Sequence, residues 1–269
     1  MASAKQVVGN PTPRVEGELK VSGAAKYAVD VTLPGMLWGK LLRSPISSGK
    51  IKRIDASKAL ALAGVHAVVT GEDCTGLKIG RRLYDMPILA DGEVRFIGEK
   101  VAAVAADTEL IAEEALGLIE VDYQETEPIL DPVEAMKPGA RLIHPDVVNY
   151  KGLPKPLKEP SNDFIYMTWG RGDIETGFRQ ADVIVENTFT TSSVHQSYIE
   201  PHSCVVNAAV DGSAEFWSCS KVPYGVREQV ANALKIPQEK FVFNPVYIGG
   251  DFGGKGSFMD LAVVYLLSK

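Results

Sequence analysis

The run Val101-Ala102-Ala103-Val104-Ala105 constrains this chain more than any other segment. Five consecutive small or β-branched apolar residues leave no polar face, so a strand built from them must be covered on both sides. Its flanks supply the covering elements. Met36-Leu37-Trp38-Gly39-Lys40-Leu41-Leu42 follows the turn Leu33-Pro34-Gly35 and reads as a buried strand. Asp55 caps a short helix, ASKALALA, which Gly64 closes before the strand Val65-His66-Ala67-Val68-Val69-Thr70. Thr108 to Glu120 fits a helix with Ile111, Ala115 and Leu118 or Ile119 on one face, and Glu120-Val121-Asp122-Tyr123 alternates as a strand after it. Residues 1–131 therefore predict one α/β unit.

Between Pro132 and Pro160 the apolar periodicity fades and Pro, Gly, Lys and Asn accumulate, so residues 132–162 predict an extended linker or surface-wrapping connection. A second unit follows over 163–269. Val183-Ile184-Val185-Glu186-Asn187-Thr188-Phe189-Thr190 is β-rich, and Ser203 to Val210 and Ala214 to Ser218 flank Asp211-Gly212 as a hairpin would. Val226, Val230, Ala233 and Leu234 share one face of a helix that ends at Lys235-Ile236-Pro237, and Phe241-Val242-Phe243 reads as the next strand. The final SFMDLAVVYLLSK reads as an apolar helix with no cap and no polar tail. Phe258, Leu261, Ala262, Tyr265 and Leu266 are expected to form an exposed patch there, of the kind that marks an interface.

Charge and cysteine usage narrow the function classes. The 269 residues carry 28 Lys and Arg against 34 Asp and Glu, a net charge of −6, so no global positive field draws in nucleic acid or an anionic membrane. Cys74, Cys204 and Cys219 are odd in number and widely spaced, which argues against a disulfide scaffold and a structural zinc site. The polar N-terminus lacks the apolar core of a secretory signal, and Leu261 to Leu267 is too short to cross a bilayer. A cytoplasmic protein is the expectation.

Chemistry concentrates in Ile248-Gly249-Gly250-Asp251-Phe252-Gly253-Gly254-Lys255-Gly256, which places five glycines in nine residues between a strand and a helix. Glycine permits positive φ and close backbone approach, so such a loop is able to aim N–H groups at an oxyanion or phosphate. It matches neither the GxxxxGK[ST] nor the GxGxxG phosphate pattern. A tight strand-to-helix turn without a ligand remains the alternative reading. His195, Gln196 and His202 lack the convergent ligand set of a metal site and read as structural hydrogen-bonding residues or as channel lining. Trp217, Tyr224 and Phe258 read as core rather than stacking platforms.

Four motifs in order resemble the N-terminal part of the molybdenum hydroxylase large subunit, the family of xanthine dehydrogenase and aldehyde oxidase. Gly23-Ala24-Ala25-Lys26-Tyr27-Ala28-Val29-Asp30, with Leu33-Pro34-Gly35-Met36-Leu37, Leu42-Arg43-Ser44-Pro45 and Ile54-Asp55, looks like the opening of its α/β-hammerhead domain. Val94-Arg95-Phe96-Ile97-Gly98-Glu99-Lys100-Val101-Ala102-Ala103-Val104 looks like that domain's second signature. Tyr198-Ile199-Glu200-Pro201 and Gly249-Gly250-Asp251-Phe252-Gly253-Gly254-Lys255 look like the start of the molybdenum-cofactor domain. The resemblance implies an α+β fold, a hammerhead domain followed by the N-terminal portion of a molybdenum-cofactor-binding α+β domain.

It also implies a function. The molybdopterin cofactor would lie against Gly250, Asp251, Phe252, Gly253 and Gly254, with backbone N–H groups near a metal oxo ligand. Lys221 stands in Cys219-Ser220-Lys221-Val222-Pro223 where the family usually has a glutamine, and so either faces the metal with a charge or marks a changed site. Gly256 replaces the glutamate of purine-oxidising members, which argues against a purine substrate. Glu200 reads as a buried carboxylate rather than a general base, and Lys255 as a phosphate partner or a solvated turn lysine. The catalytic general-base glutamate belongs to a C-terminal part that this chain lacks, so the resemblance implies no catalytic residue here and no turnover by the chain alone. The expected assembly has a C-terminal molybdopterin-domain chain that shares the cofactor, a 2Fe–2S iron–sulfur subunit and an FAD subunit. It would hydroxylate or dehydrogenate an aromatic heterocycle, an aldehyde or an aromatic acyl-CoA. The alternative is a non-catalytic or vestigial fragment that serves only as a folding or interaction module.

Overall fold

A computed structural model describes residues 8–257 and 260–269. Its strands are β1 (Trp38–Arg43), β2 (Gly49–Asp55), β3 (Val65–Thr70), β4 (Lys78–Ile79), β5 (Met86–Pro87), β6 (Glu93–Val94), β7 (Lys100–Ala106), β8 (Glu120–Glu125), β9 (Cys204–Ala208), β10 (Ala214–Ser218) and β11 (Phe241–Asn244). Its helices are α1 (Gly17–Val21), α2 (Ser57–Leu60), α3 (Glu109–Leu118), α4 (Pro132–Ala135), α5 (Ile174–Gln180), α6 (Pro223–Leu234) and α7 (Leu261–Ser268).

Strand β7 is buried along its whole length, as its unbroken apolar run requires. It sits between β1 and β3, antiparallel to both. Ala102 and Val104 pack with Ala59 of α2 and Ala115 of α3. Ala103, on the opposite face, enters a core shared with β10, α6 and α7. A second antiparallel sheet runs β6-β2-β8. Thr108 caps α3 by accepting the Ile111 N–H at 3.2 Å.

In the second half β10 is central, antiparallel to β9 and parallel to β11. The hairpin falls on Asp211-Gly212: the Ala209 N–H donates to Ser213 O at 2.8 Å, and the Gly212 N–H to Ala209 O at 2.9 Å. Phe216 stacks on Phe243 with centroids 4.5 Å apart and meets Phe241 edge-on at 5.1 Å. Helix α6 ends with Lys235 in the left-handed conformation.

Four expectations need correction, the first being that Met36 to Leu42 forms a buried strand: β1 is an edge strand whose Trp38 is 45% exposed. Leu261, Ala262 and Tyr265 of α7 are fully buried and Leu266 partly so, so they form no exposed patch. The helix packs on β9, β7 and β3, with Ser268 Oγ donating to Val206 O at 3.1 Å; Phe258 lies outside the described residues. The residues covering α7 belong to the hammerhead-like half as well as the second sheet, a long-range packing that the helix's own sequence does not announce. Val183 to Thr190 forms no strand, because a β-prone run needs a partner edge and none is offered among the described residues. Tyr224 lies on the surface rather than in the core. Within residues 132–162 the chain is anchored: Val147 and Tyr150 are buried, and Tyr150 OH donates to Asp146 Oδ1 at 2.7 Å.

Candidate functional site

The glycine loop leaves β11 beside the first motif of the chain. Tyr247 forms a β-bridge with Tyr27, and its N–H donates to Lys26 O at 2.9 Å. The second motif holds the far end. The buried Lys100 amine lies 3.0 Å from Asp260 Oδ1, just ahead of α7, while Glu99 Oε2 accepts the Arg95 N–H at 2.6 Å and shapes the turn before β7. Burial pushes the Glu99 carboxyl above its ordinary range.

Within the loop, Asp251 organises the chain. Its Oδ2 accepts the Gly253 N–H at 3.0 Å and its Oδ1 the Lys255 N–H at 2.6 Å. Lys221 Nζ donates to Oδ2 at 2.5 Å. That ammonium, assisted by the two N–H donors, lowers the Asp251 carboxyl to about 2. The turn so held puts Phe252 at φ 44°, a left-handed conformation that costs a non-glycine residue on the order of 1–2 kcal/mol. Phe252 is 75% exposed. The N–H groups of Gly250, Asp251 and Phe252 have no hydrogen-bond acceptor among the described residues. Three successive free donors beside a left-handed residue are the backbone elements from which anion-binding nests are built.

The Tyr198-Ile199-Glu200-Pro201 segment backs the loop. A Cβ on Gly254 would lie 2.5 Å from Tyr198 Cε1, so only glycine fits there. Glu200 Oε2 accepts the Gly249 N–H at 2.7 Å and also takes the ammonium of Lys255, leaving Oε1 buried and without a partner. Lys255 is 1% exposed, so the solvated-lysine reading fails: its charge is spent inside the fold, under the Tyr198 ring at 4.8 Å. Tyr198 lies between His195 and His202, with centroids at 5.0 and 5.4 Å, and burial lowers the His202 pKa. Among the described residues no three His, Cys, Asp or Glu side chains converge as a metal-binding group.

Lys221 and the glycine loop thus come together in space, as do Glu200 and Lys255. The Lys221 ammonium meets Asp251 within the chain. Arg81 was not legible as a neighbour of this loop: its Nη1 lies 3.3 Å from where a Cβ on Gly256 would stand. The turn glycine and paired arginines of Gly80-Arg81-Arg82 were the available signal.

Comparison with known proteins agrees with this geometry. The description "Aldehyde oxidase and xanthine dehydrogenase, a/b hammerhead domain" matches residues 22–127, and "Molybdopterin cofactor-binding domain" matches residues 157–269. The chain is 36% identical to one component of a probable xanthine dehydrogenase of Bacillus subtilis, over 90% of this chain and 31% of that protein. It is 32% identical to the nicotinate dehydrogenase large molybdopterin subunit of Eubacterium barkeri, over 98% of this chain and 58% of that protein. A crystal structure of a Cu,Mo-CO dehydrogenase superposes with a TM-score of 0.84 at 32% identity, covering 97% of this chain and 34% of that one. The chain therefore spans about a third to somewhat over half the length of these relatives. With both family descriptions matched in order, the chain belongs to the aldehyde oxidase and xanthine dehydrogenase family of molybdenum hydroxylases and corresponds to an N-terminal part of the large, molybdopterin-binding subunit.

Proposed function

We propose that this chain is the N-terminal portion of a molybdenum-cofactor-dependent oxidoreductase. Residues 1–131 form its hammerhead, 132–162 the connection and 163–269 the opening of the cofactor domain. The observation that carries the reading is the trio of unpartnered N–H donors at Gly250, Asp251 and Phe252, flanked by Gly253 and Gly254. Fixed backbone donors would suit an anionic oxygen of the cofactor because they present hydrogen bonds without titrating. When bound, the cofactor supplies a two-electron redox centre. This chain's residues orient it: Asp251 holds the turn, Lys221 holds Asp251, and the exposed Phe252 ring walls the space in front.

The substrate class is an aromatic heterocycle, an aldehyde or an aromatic acyl-CoA. A general base works best with a pKa near the operating pH. Asp251 at about 2 is tied to Lys221, and Glu200 is tied to Lys255, so neither carboxylate beside the loop is suited to that role. The base then comes from the residues that complete the cofactor domain, on the same polypeptide or another. Support for such completion lies in residues 165–199. Trp169, Val183, Val185, Phe189 and Ile199 all stand exposed in that one segment, a concentration of large apolar side chains of the kind that further chain covers. A 2Fe–2S subunit and an FAD subunit would carry the electrons away. No helix among the described residues is long and apolar enough to cross a membrane, in keeping with our reading of a cytoplasmic assembly.

Metal analysis of the protein purified with its natural partners tests this: about one molybdenum per chain is expected. Absence of molybdenum from molybdate-replete cells would favour a non-catalytic module instead, a reading for which the charged Lys221 in place of the family's usual glutamine is the motivating feature. The isolated 269-residue chain should not reduce a dye acceptor with any of these substrates, and turnover by it would overturn the assignment of the base.

A further inference from the structure

A cavity of about 470 Å³ opens beside the end of the glycine loop. One wall is the β4–β5 turn carrying Arg81 and Arg82, and the opposite wall is a face of α6 from Gly225 to Asn232. The turn is locked to the connecting segment. Tyr84 N–H donates to Lys151 O at 2.9 Å, and a Cβ on Gly152 would strike Arg82 O at 1.8 Å, so the two backbones touch. Lys151 Nζ donates to Asn232 Oδ1 at 2.8 Å, and Asn232 Nδ2 donates to Tyr84 OH at 3.0 Å, which fixes this ammonium against α6.

The charge in this cavity is unbalanced. Arg81, Arg82 and Lys151 line it, and none of them pairs with a carboxylate among the described residues. Glu228 is the one carboxylate in the lining. Gln229 also lines the cavity, is only 5% exposed, and leaves its Oε1 buried without a donor. That oxygen is an acceptor and calls for an N–H or O–H of a ligand, not for the oxyanion itself. The Arg81 guanidinium lies at the edge of the loop, its Nη1 3.3 Å from where a Cβ on Gly256 would stand.

We propose that this cavity is an oxyanion subsite. It holds the carboxylate or phosphate of a ligand whose remainder reaches the glycine loop past Gly256, with Arg81 and Arg82 as the main donors. Each guanidinium fork is able to donate two parallel N–H groups to two oxygens of either a carboxylate or a phosphate, and Lys151 adds a fixed point charge. The proposal rests on the reading that the loop faces the reacting ligand, and it narrows the substrate to one that is anionic.

Calorimetric titration of the 269-residue chain at low salt, with benzoate, benzamide and inorganic pyrophosphate as separate probes, tests it without any metal. Saturable binding of benzoate or pyrophosphate, with benzamide silent, is expected; which anion binds tells a substrate carboxylate from a phosphate. Arg81→Ala combined with Arg82→Ala should weaken that binding at least tenfold, while Arg53→Ala, on the exposed part of β2, leaves it unchanged. Should the double variant misfold by circular dichroism, Gly256→Glu serves instead. Its Cβ meets only the flexible ends of Arg81 and Lys221, and its carboxylate would neutralise the site. Failure of both anions to bind, or binding indifferent to these variants, overturns the subsite. Because molybdenum content is measured separately, that result would leave the cofactor assignment standing.

Discussion

Lys221 and Asp251 show how one ion pair sets the form of the candidate site. The depressed Asp251 value means that the contact's stabilisation is complete above the ordinary carboxylate value of 3.8 and is lost as pH falls through about 2. Lys221→Gln removes the ammonium but keeps a donor, so the Asp251 midpoint should rise from about 2 towards 3.8 in a carboxyl-carbon NMR titration. A midpoint that does not move would show that the pair does not hold the loop. The Glu200–Lys255 pair makes a different demand. Lys255→Met leaves a carboxylate inside the fold without its cation, which should cost about 3 kcal/mol in urea denaturation. A loss below about 1 kcal/mol would mean that water reaches Glu200. The glycine loop and Lys221 were both legible as site residues in the sequence. That Lys221 would meet Asp251 was not, because residues thirty positions apart are joined only by the packing of α6 against the second sheet.

At the scale of elements, β7 and α7 behave in opposite ways. The run Val101 to Ala105 announces burial on both faces and is buried on both. The α7 sequence reads equally as a core helix or as an interface helix, and composition alone does not choose. Its partners decide: Lys100 of β7 pairs with Asp260, and the α7 tyrosine reaches Gly212 O at 3.0 Å. Lys100→Met should therefore loosen α7 and cost about 2 kcal/mol in the same denaturation experiment. No change would mean that the Lys100–Asp260 pair does not hold α7. Val183 to Thr190 is the reverse case, a strand-like sequence with no strand to join. Its amides should exchange with deuterium at nearly free-peptide rates in the isolated chain, while those of β7 open only with the whole fold. Protection of Val183 to Thr190 by more than roughly a hundredfold would contradict the exposed arrangement.

Across the whole molecule, the two matched family regions are joined in one core. Cys74, Ile79, Ile88, Leu89 and Ala103 from the first pack with Phe216, Val226 and Tyr265 from the second. This joint core carries the glycine loop on its rim, between Tyr27 at one end and Asp260 at the other. All four sequence motifs thus have a place: the first anchors Tyr247, the second ties down Asp260, the third backs the loop, and the fourth is the loop. The central claim is that the loop's free donors face a bound cofactor. Hydrogen–deuterium exchange read at Gly250, Asp251 and Phe252 tests it most directly, comparing the isolated chain with the cofactor-loaded assembly. These three amides should exchange freely in the isolated chain and slow at least tenfold in the loaded assembly; unchanged exchange in an assembly shown to contain molybdenum would contradict the account.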